Sequence, residues 1–386
     1  MIVEGMVRGE AINDLVSDLG YGTTVVTGSW ILTQPAHILV IFGVDPLISL
    51  RLVALTASTL AALLILAIAH RAYPQGVPLL SSAGLALLVL MVLPSYLLWG
   101  SLALRESSVI LSMAMAAWGL SLVAMRPSPA SQAVGLAAVF VGTVGMYMSR
   151  SYLALILSAA VLLAILFPPL RSRAVIVILT AGTLFLGNFV GSQIRTSAPP
   201  ALVPDNTVGS DTVGSDTVGS VIASRLGAFH RSREGLRLNA DSAYSFNYCK
   251  PTGDAISTLT CEAANLPLGI YRFLLTPNVI ETSATAPRQR LAAGFENLIW
   301  LVIFIAGGIS VVCRRSLSPR LTVFLVTLLV LSTVAYALVS GNEGTSFRHK
   351  GQFLWAWCLL IALGTGWRPW VRSLRRPKPM EVADSA

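Results

Sequence analysis

Charge is what this chain has least of. Only 12% of its 386 residues are Asp, Glu, Lys or Arg, while 54% are hydrophobic and the mean hydropathy is +0.72, well above what a soluble core and surface give together. The stretches 52–69, 107–125, 127–149, 151–170 and 174–194 contain no charged residue, and each approaches the roughly 20 residues a helix needs to cross hydrocarbon. A membrane barrel is excluded, because its signature of short alternating segments is missing. Also missing are a phosphate-binding P-loop, a dinucleotide-binding glycine fingerprint, an HExxH zinc motif and a nucleophile elbow, so nothing in the sequence calls for a cofactor or a metal. Cysteine is scarce, with four in all. Cys313 and Cys358 fall in or at the end of apolar runs and read as packing residues. Cys249 and Cys261 lie in a polar loop at a spacing a disulfide can close; an extracytoplasmic loop favours the bridge, and two free thiols are the alternative. Acidic residues are fewer than basic ones, leaving a net charge of +9. Nucleic acid is nevertheless not an expected partner, because the arginines are dispersed at helix ends instead of forming one patch.

What is present is an all-α, polytopic bundle of about nine expected spans at 47–69, 77–99, 107–125, 130–148, 152–170, 174–194, 291–313, 321–338 and 353–367. Arg71, Arg126, Arg171, Arg173, Arg314, Arg315, Arg320 and the basic tail after 368 fall on one side, against only Arg105, Arg150, Arg348 and Lys350 in the alternate short loops. The positive-inside rule therefore puts the C-terminus in the cytoplasm. The organisation expected is an extracytoplasmic or interfacial segment 1–46, spans 47–194, an extracytoplasmic loop 195–290, spans 291–368 and a cytoplasmic tail 369–386. An odd number of spans leaves 1–46 outside with nothing apolar ahead of it. Either 30–44 is a re-entrant or interfacial segment, or the chain starts downstream of a first helix, which is the favoured reading.

The long loop opens with a five-residue unit repeated at 206–210, 211–215 and 216–220 (NTVGS, DTVGS, DTVGS), whose Gly, Ser and Asp favour a flexible linker. Residues 221–237 then space Val221, Ile222, Leu226 and Phe229 as a basic amphipathic helix, lying on membrane lipids or packed on the loop itself. Residues 265–278 read as a short apolar helix bounded by prolines. Near the N-terminus, Glu10, Asp14 and Asp18 share one helical face, either as a site for a catalytic base or as a solvated surface.

Ionisable residues gather on the outer side. "LALRESS" supplies Arg105 and Glu106, "YMSRSYLAL" supplies Arg150, "YRFLLTP" supplies Arg272, "FENLIW" supplies Glu296, and "SGNEGTSFRHKGQF" supplies Glu343, Arg348, His349 and Lys350. Membrane helices carry few such groups without a reason. Arginine forks bind phosphate oxygens in pairs and stabilise the charge that grows on a leaving diphosphate; a carboxylate or imidazole can take the proton of an attacking hydroxyl. Arg105, Arg150, Arg348, Lys350 and Arg272 are thus the candidate substrate-binding residues, and Glu343, His349 and Glu106 the candidate catalytic ones. The bland alternatives are that Arg105 and Arg150 snorkel or pair with Glu106, and that Arg272 forms a structural ion pair with Glu296.

The succession "LPSYLLWGSLALRES", "MSRSYLALIL", a long outer loop with "ADSAYSF" and "LPLGIYRFLLTP", then "FENLIW" and "GNEGTSFRHKGQF" resembles bacterial O-antigen polymerases and ligases, polytopic relatives of the C-type glycosyltransferases. The resemblance implies an enzyme in the inner membrane of a bacterial cell that serves cell-surface polysaccharide synthesis, takes a polyprenyl-diphosphate-linked glycan, works beside other polysaccharide-assembly proteins, and uses Arg105, Arg150, Arg348 and His349 on its outer face. The N-terminus departs from that family, whose members start with a further helix. A flippase for lipid-linked oligosaccharides and a non-catalytic scaffold stay open as alternatives; the charge-free helix centres speak against a transport path.

Overall fold

In a computed structural model of the chain, the described residues are 23–73, 82–92, 106–125, 128–166, 255–277, 288–313, 318–340 and 342–364. They form eleven helices and, among the described residues, no β-strand: α1 (Thr23–Ile41), α2 (Pro46–Ala72), α3 (Ser82–Val92), α4 (Glu106–Met125), α5 (Pro129–Ser149), α6 (Ser151–Leu166), α7 (Ala255–Leu275), α8 (Arg288–Cys313), α9 (Pro319–Val339), α10 (Glu343–Gly351) and α11 (Leu354–Leu363).

Helix starts follow local chemistry. Asp45 caps α2, its Oδ1 accepting from the N–H groups of Leu47 (2.9 Å) and Ile48 (3.0 Å), with Pro46 in the first turn; Ser128 and Pro129 do the same for α5. Several hydroxyls inside the apolar helices bond back to their own helix, as Thr56 does to the Leu52 carbonyl (2.8 Å) and Thr143 to that of Val139 (2.8 Å), whereas those of Ser158 and Ser332 are buried without a hydrogen bond.

Five helices are long and apolar enough to cross a membrane: α2, α4, α5, the Leu291–Val312 part of α8, and α9. They match the expected spans 47–69, 107–125, 130–148, 291–313 and 321–338. The expected spans 77–99, 152–170 and 353–367 coincide with shorter described helices, α3, α6 and α11, and 174–194 lies outside the described residues, as do Arg105, Cys249, the pentapeptide repeat, 221–237 and the acidic N-terminal face. Of the nine expected spans, five thus have, among the described residues, a helix long and apolar enough to cross.

The segment 30–44 is helical as far as Ile41, within a helix that already runs from Thr23 and carries through Pro35. Two readings need correction. The segment 265–278 is not bounded by prolines, since α7 starts at Ala255 and continues through Pro267. Packing outweighs the proline's preference: Leu266, Ile270 and Leu274 lie against the core, and Gly269 sits so close to α9 that a Cβ there would stand 3.0 Å from the Ala337 carbonyl oxygen. Finally, the polar gap 340–353 contains a helix of its own, α10, capped by the Asn342 side chain accepting from the Thr345 N–H at 2.8 Å.

The centre of the bundle is α4, 72% buried along its span against 28–39% for the other four. It lies closest to α5, where the two chains meet over small residues: a Cβ on Gly142 would stand 2.6 Å from the Ser112 carbonyl oxygen and 2.8 Å from the Ala116 nitrogen, and Gly119 and Gly135 meet backbone to backbone. This small-residue seam is how membrane helices approach when water supplies no drive between them. It also fixes the site, because the α4 start and the α5 end come together at one end of the bundle.

Candidate functional site

At that end two other chain segments, the α5–α6 turn and the end of α10, converge on the Glu106 carboxylate, in the first turn of α4. The α5–α6 hairpin turns through one extended residue, Arg150 (φ −153°, ψ 99°). Its guanidinium enters the bundle, where Nη2 donates to Glu106 Oε1 at 3.0 Å and Nη1 donates to the Tyr152 hydroxyl at 2.9 Å. Nη1 also lies 3.1 Å from His349 Nε2 and 3.5 Å from the Tyr336 hydroxyl. An arginine only donates, so the contact requires the His349 tautomer with a bare Nε2. From α10 comes Arg348, whose Nε is 3.1 Å from the same Glu106 oxygen as an ion pair without hydrogen-bond alignment. Gln352, just past α10, donates from Nε2 to Glu106 Oε1 at 3.5 Å and accepts from the Tyr336 hydroxyl at 3.0 Å. Tyr336 belongs to α9 and is fully buried, with Phe273 of α7 stacked on it (5.6 Å, 12°) and His349 tilted against it at 4.3 Å.

The electrostatics follow from that count. Two guanidiniums share one oxygen of one carboxylate, so the cluster keeps an excess positive charge. Glu106 is 2% exposed in its side chain and Arg150 10%, while Arg348 reaches 32%, so Arg348 is the open edge and Arg150 the floor. Burial works against the charge on Arg150, but Tyr336, Tyr152 and Glu106 outweigh it and hold its pKa above the ordinary arginine value. The two terminal nitrogens of Arg348 make no hydrogen bond with any described residue, which leaves its fork available to an oxyanion.

The last turn of α10 carries Arg348, His349 and Lys350, favourable for a helix C-terminus, but its side chains diverge. Arg348 and His349 face Glu106 and Arg150. Lys350, 1% exposed, points the other way, its Nζ donating to the carbonyls of Leu274 (3.2 Å) and Thr276 (3.0 Å) and to Asn297 Oδ1. Burial pulls the Lys350 pKa down to about 7, with Glu296 and Glu343 opposing. Its three N–H groups all have acceptors, so it ties α10 to α7 and α8.

The expected site residues are therefore sorted by the fold. Glu106, Arg150, Arg348 and His349 meet. Lys350 is nearby but engaged elsewhere, and Glu343, in the first turn of α10, faces the lysine side. Arg272 is half-buried in the last turn of α7, and Glu296, buried on α8, accepts from Trp300 Nε1 at 3.4 Å. Cys261 is held in a disulfide; Cys249 is outside the described residues. Among the described residues, no group of three His, Cys, Asp or Glu side chains is placed to hold a metal. The sequence reading missed Tyr152, Tyr336 and Gln352. A usable signal existed, since tyrosine hydroxyls at apolar helix ends and a glutamine in a span's first turn each need a partner. No family, curated protein or solved structure matches the chain.

Proposed function

We propose that the chain is an integral membrane glycosyltransferase of the polysaccharide-polymerase kind, acting on polyprenyl-diphosphate-linked sugars on the outer face of a bacterial inner membrane. One observation carries this: Arg150 and Arg348, nearly 200 residues apart in sequence, converge on one buried carboxylate at the end of a membrane bundle. Such a pair suits a diphosphate, whose charge rises as the sugar leaves.

In this reading the open fork of Arg348 grips the diphosphate, while Arg150, engaged with Glu106 and Tyr152, holds Glu106 in place and adds positive charge behind it. Glu106 Oε1 spaces the two cations, and Oε2, which makes none of these contacts, takes the proton of the acceptor hydroxyl. The bond from the anomeric carbon to the diphosphate oxygen breaks, the acceptor oxygen forms the new glycosidic bond, and polyprenyl diphosphate leaves. Glu106 is better placed for this step than Glu343, which lies on the lysine side of α10.

The test is reconstitution of purified protein in lipid vesicles with a polyprenyl-diphosphate oligosaccharide, following glycan length and released polyprenyl diphosphate. Arg348→Ala should cut transfer by about 100-fold or more with normal accumulation, and Arg348→Lys should fail to restore it, since an ammonium lacks the fork. Unchanged transfer in Arg348→Ala, or lipid-linked sugar crossing the vesicle without any transfer, refutes the proposal.

A further inference from the structure

The outward side of α7 carries no charge. Thr260, Ala263, Ala264, Pro267, Leu268 and Tyr271 are its exposed residues, and their spacing sets them along one stripe of the helix; Leu268 and Tyr271 are 43% and 40% exposed. The opposite side packs on the bundle through Leu266, Ile270, Phe273 and Leu274. Depth along the bundle is the informative feature. Gly269 meets Ala337, two residues before α9 ends at Val339. Farther along, Lys350 Nζ joins the Leu274 and Thr276 carbonyls to Asn297. Asn297 lies six residues inside the apolar stretch of α8 that starts at Leu291, about 9 Å along the helix. The C-terminus of α7 is therefore level with turns of α8 that belong to a membrane span.

The end of the helix supplies a second observation. A helix C-terminus leaves its last carbonyls open, and in an aqueous loop water meets them. Here protein donors reach them. The Thr276 N–H and Oγ1 donate to the Arg272 carbonyl (3.2 and 2.6 Å), Lys350 Nζ donates to those of Leu274 (3.2 Å) and Thr276 (3.0 Å), and Asn297 Nδ2 donates to that of Pro277. Thr276 and Pro277 are themselves buried. Hydrocarbon demands such internal satisfaction of the backbone, because it holds no water to do it.

We infer that α7 is seated in the bilayer, in the leaflet at the cluster end, with Leu268 and Tyr271 against lipid and its C-terminus ending inside hydrocarbon on the bridge from Lys350 to Asn297. The partner is bilayer lipid, because the stripe lies at a depth where α8 also presents Phe295 and Leu298 outward. Tyr271 suits such a place, since its ring is apolar and its hydroxyl can reach the headgroups. Lys350 then does for this helix end what water does in a loop. The loop expected at 195–290 thus returns into the membrane before α8 begins. This placement is independent of sugar transfer and holds equally for a membrane scaffold.

The experiment uses the full-length chain, one copy per nanodisc of phosphatidylcholine. Leu268→Cys and Ala264→Cys are timed against Gly344→Cys, exposed on α10, for reaction with a charged maleimide, with the parent protein as background. Both α7 cysteines should react at least about tenfold more slowly than Gly344→Cys, because the reactive thiolate forms in water and not in hydrocarbon. All three should reach the same extent in denaturing detergent, and two positions on one stripe guard against misfolding of either variant. A phosphatidylcholine bearing a diazirine on its acyl chain should crosslink to 260–271 of the parent protein. Rates equal to that of Gly344→Cys overturn the inference. So does slow reaction without a lipid adduct on 260–271, which would mean that protein covers the stripe.

Discussion

Lysine 350 shows how one side chain can look like a ligand-binding cation and serve another end. It sits beside Arg348 and His349 in sequence, yet a helix turns about 100° per residue, so neighbours two apart face nearly opposite ways. Its ammonium is spent on two carbonyls and an amide oxygen of α7, the segment after it, and α8. Lys350→Met should keep the length of the side chain but orphan those acceptors, each worth about 1–3 kcal/mol when buried, and so lower the melting temperature in detergent. The wild type also has a pH signature. With the folded pKa near 7 and the ordinary value at 10.5, the unfolded chain binds more protons between those limits, so stability should rise with pH from about 7 toward 10.5 and stay flat below. Lys350→Met should lose that slope, read as melting temperature against pH for both proteins. An identical slope in the variant would assign the effect to another group.

At the scale of elements, the α4–α5 seam decides where the cluster can form. Glu106 begins one helix and Arg150 follows the other, so their 3.0 Å contact exists only if the two helices stay in register along their length. Gly142→Ala puts a methyl 2.6 Å from the Ser112 carbonyl oxygen and should separate the pair, lowering thermal stability and transfer activity together. Gly308→Ala on α8 is the matched control, because nothing lies within 4 Å of the added carbon; it should be neutral or stabilising by about 0.5–1 kcal/mol, since alanine is the better helix former. Both are read from thermal unfolding, and equal losses in the two would show that the seam has no special role. The element-level signals in the sequence were uneven for a physical reason. Apolar length alone identifies a span such as α4, because hydrocarbon thickness sets it. The continuation of α7 through Pro267 and the short helix α10 depend on packing against α9 and on the lysine tie, neither of which leaves a periodic trace.

For the whole molecule, Arg71 at the end of α2 and Arg320 at the start of α9 lie at the opposite end of the bundle from Arg150 and Arg348. The proposed function needs the two-arginine cluster to face away from the cytosol, the orientation the positive-inside rule favours. A cysteine at the exposed Gly344 on α10 should react with a membrane-impermeant maleimide in intact spheroplasts, above the background of the parent protein. Labelling only after the membrane is broken would place the cluster inside and exclude a site for outer-face lipid-linked sugars.

The sequence by itself determined the medium and the cast. Its shortage of charge demanded a helical membrane bundle, and the few ionisable groups, Glu106, Arg150, Arg348 and His349 among them, stood out against that background because hydrocarbon makes each one costly. What only the tertiary structure decided was who meets whom: that Glu106 is shared by two arginines from distant segments, that Lys350 turns away, and that Tyr336 and Gln352 complete the network. Pairings of that kind depend on helix rotation and register, which packing of small residues against each other settles and which the spacing of residues along one chain does not encode.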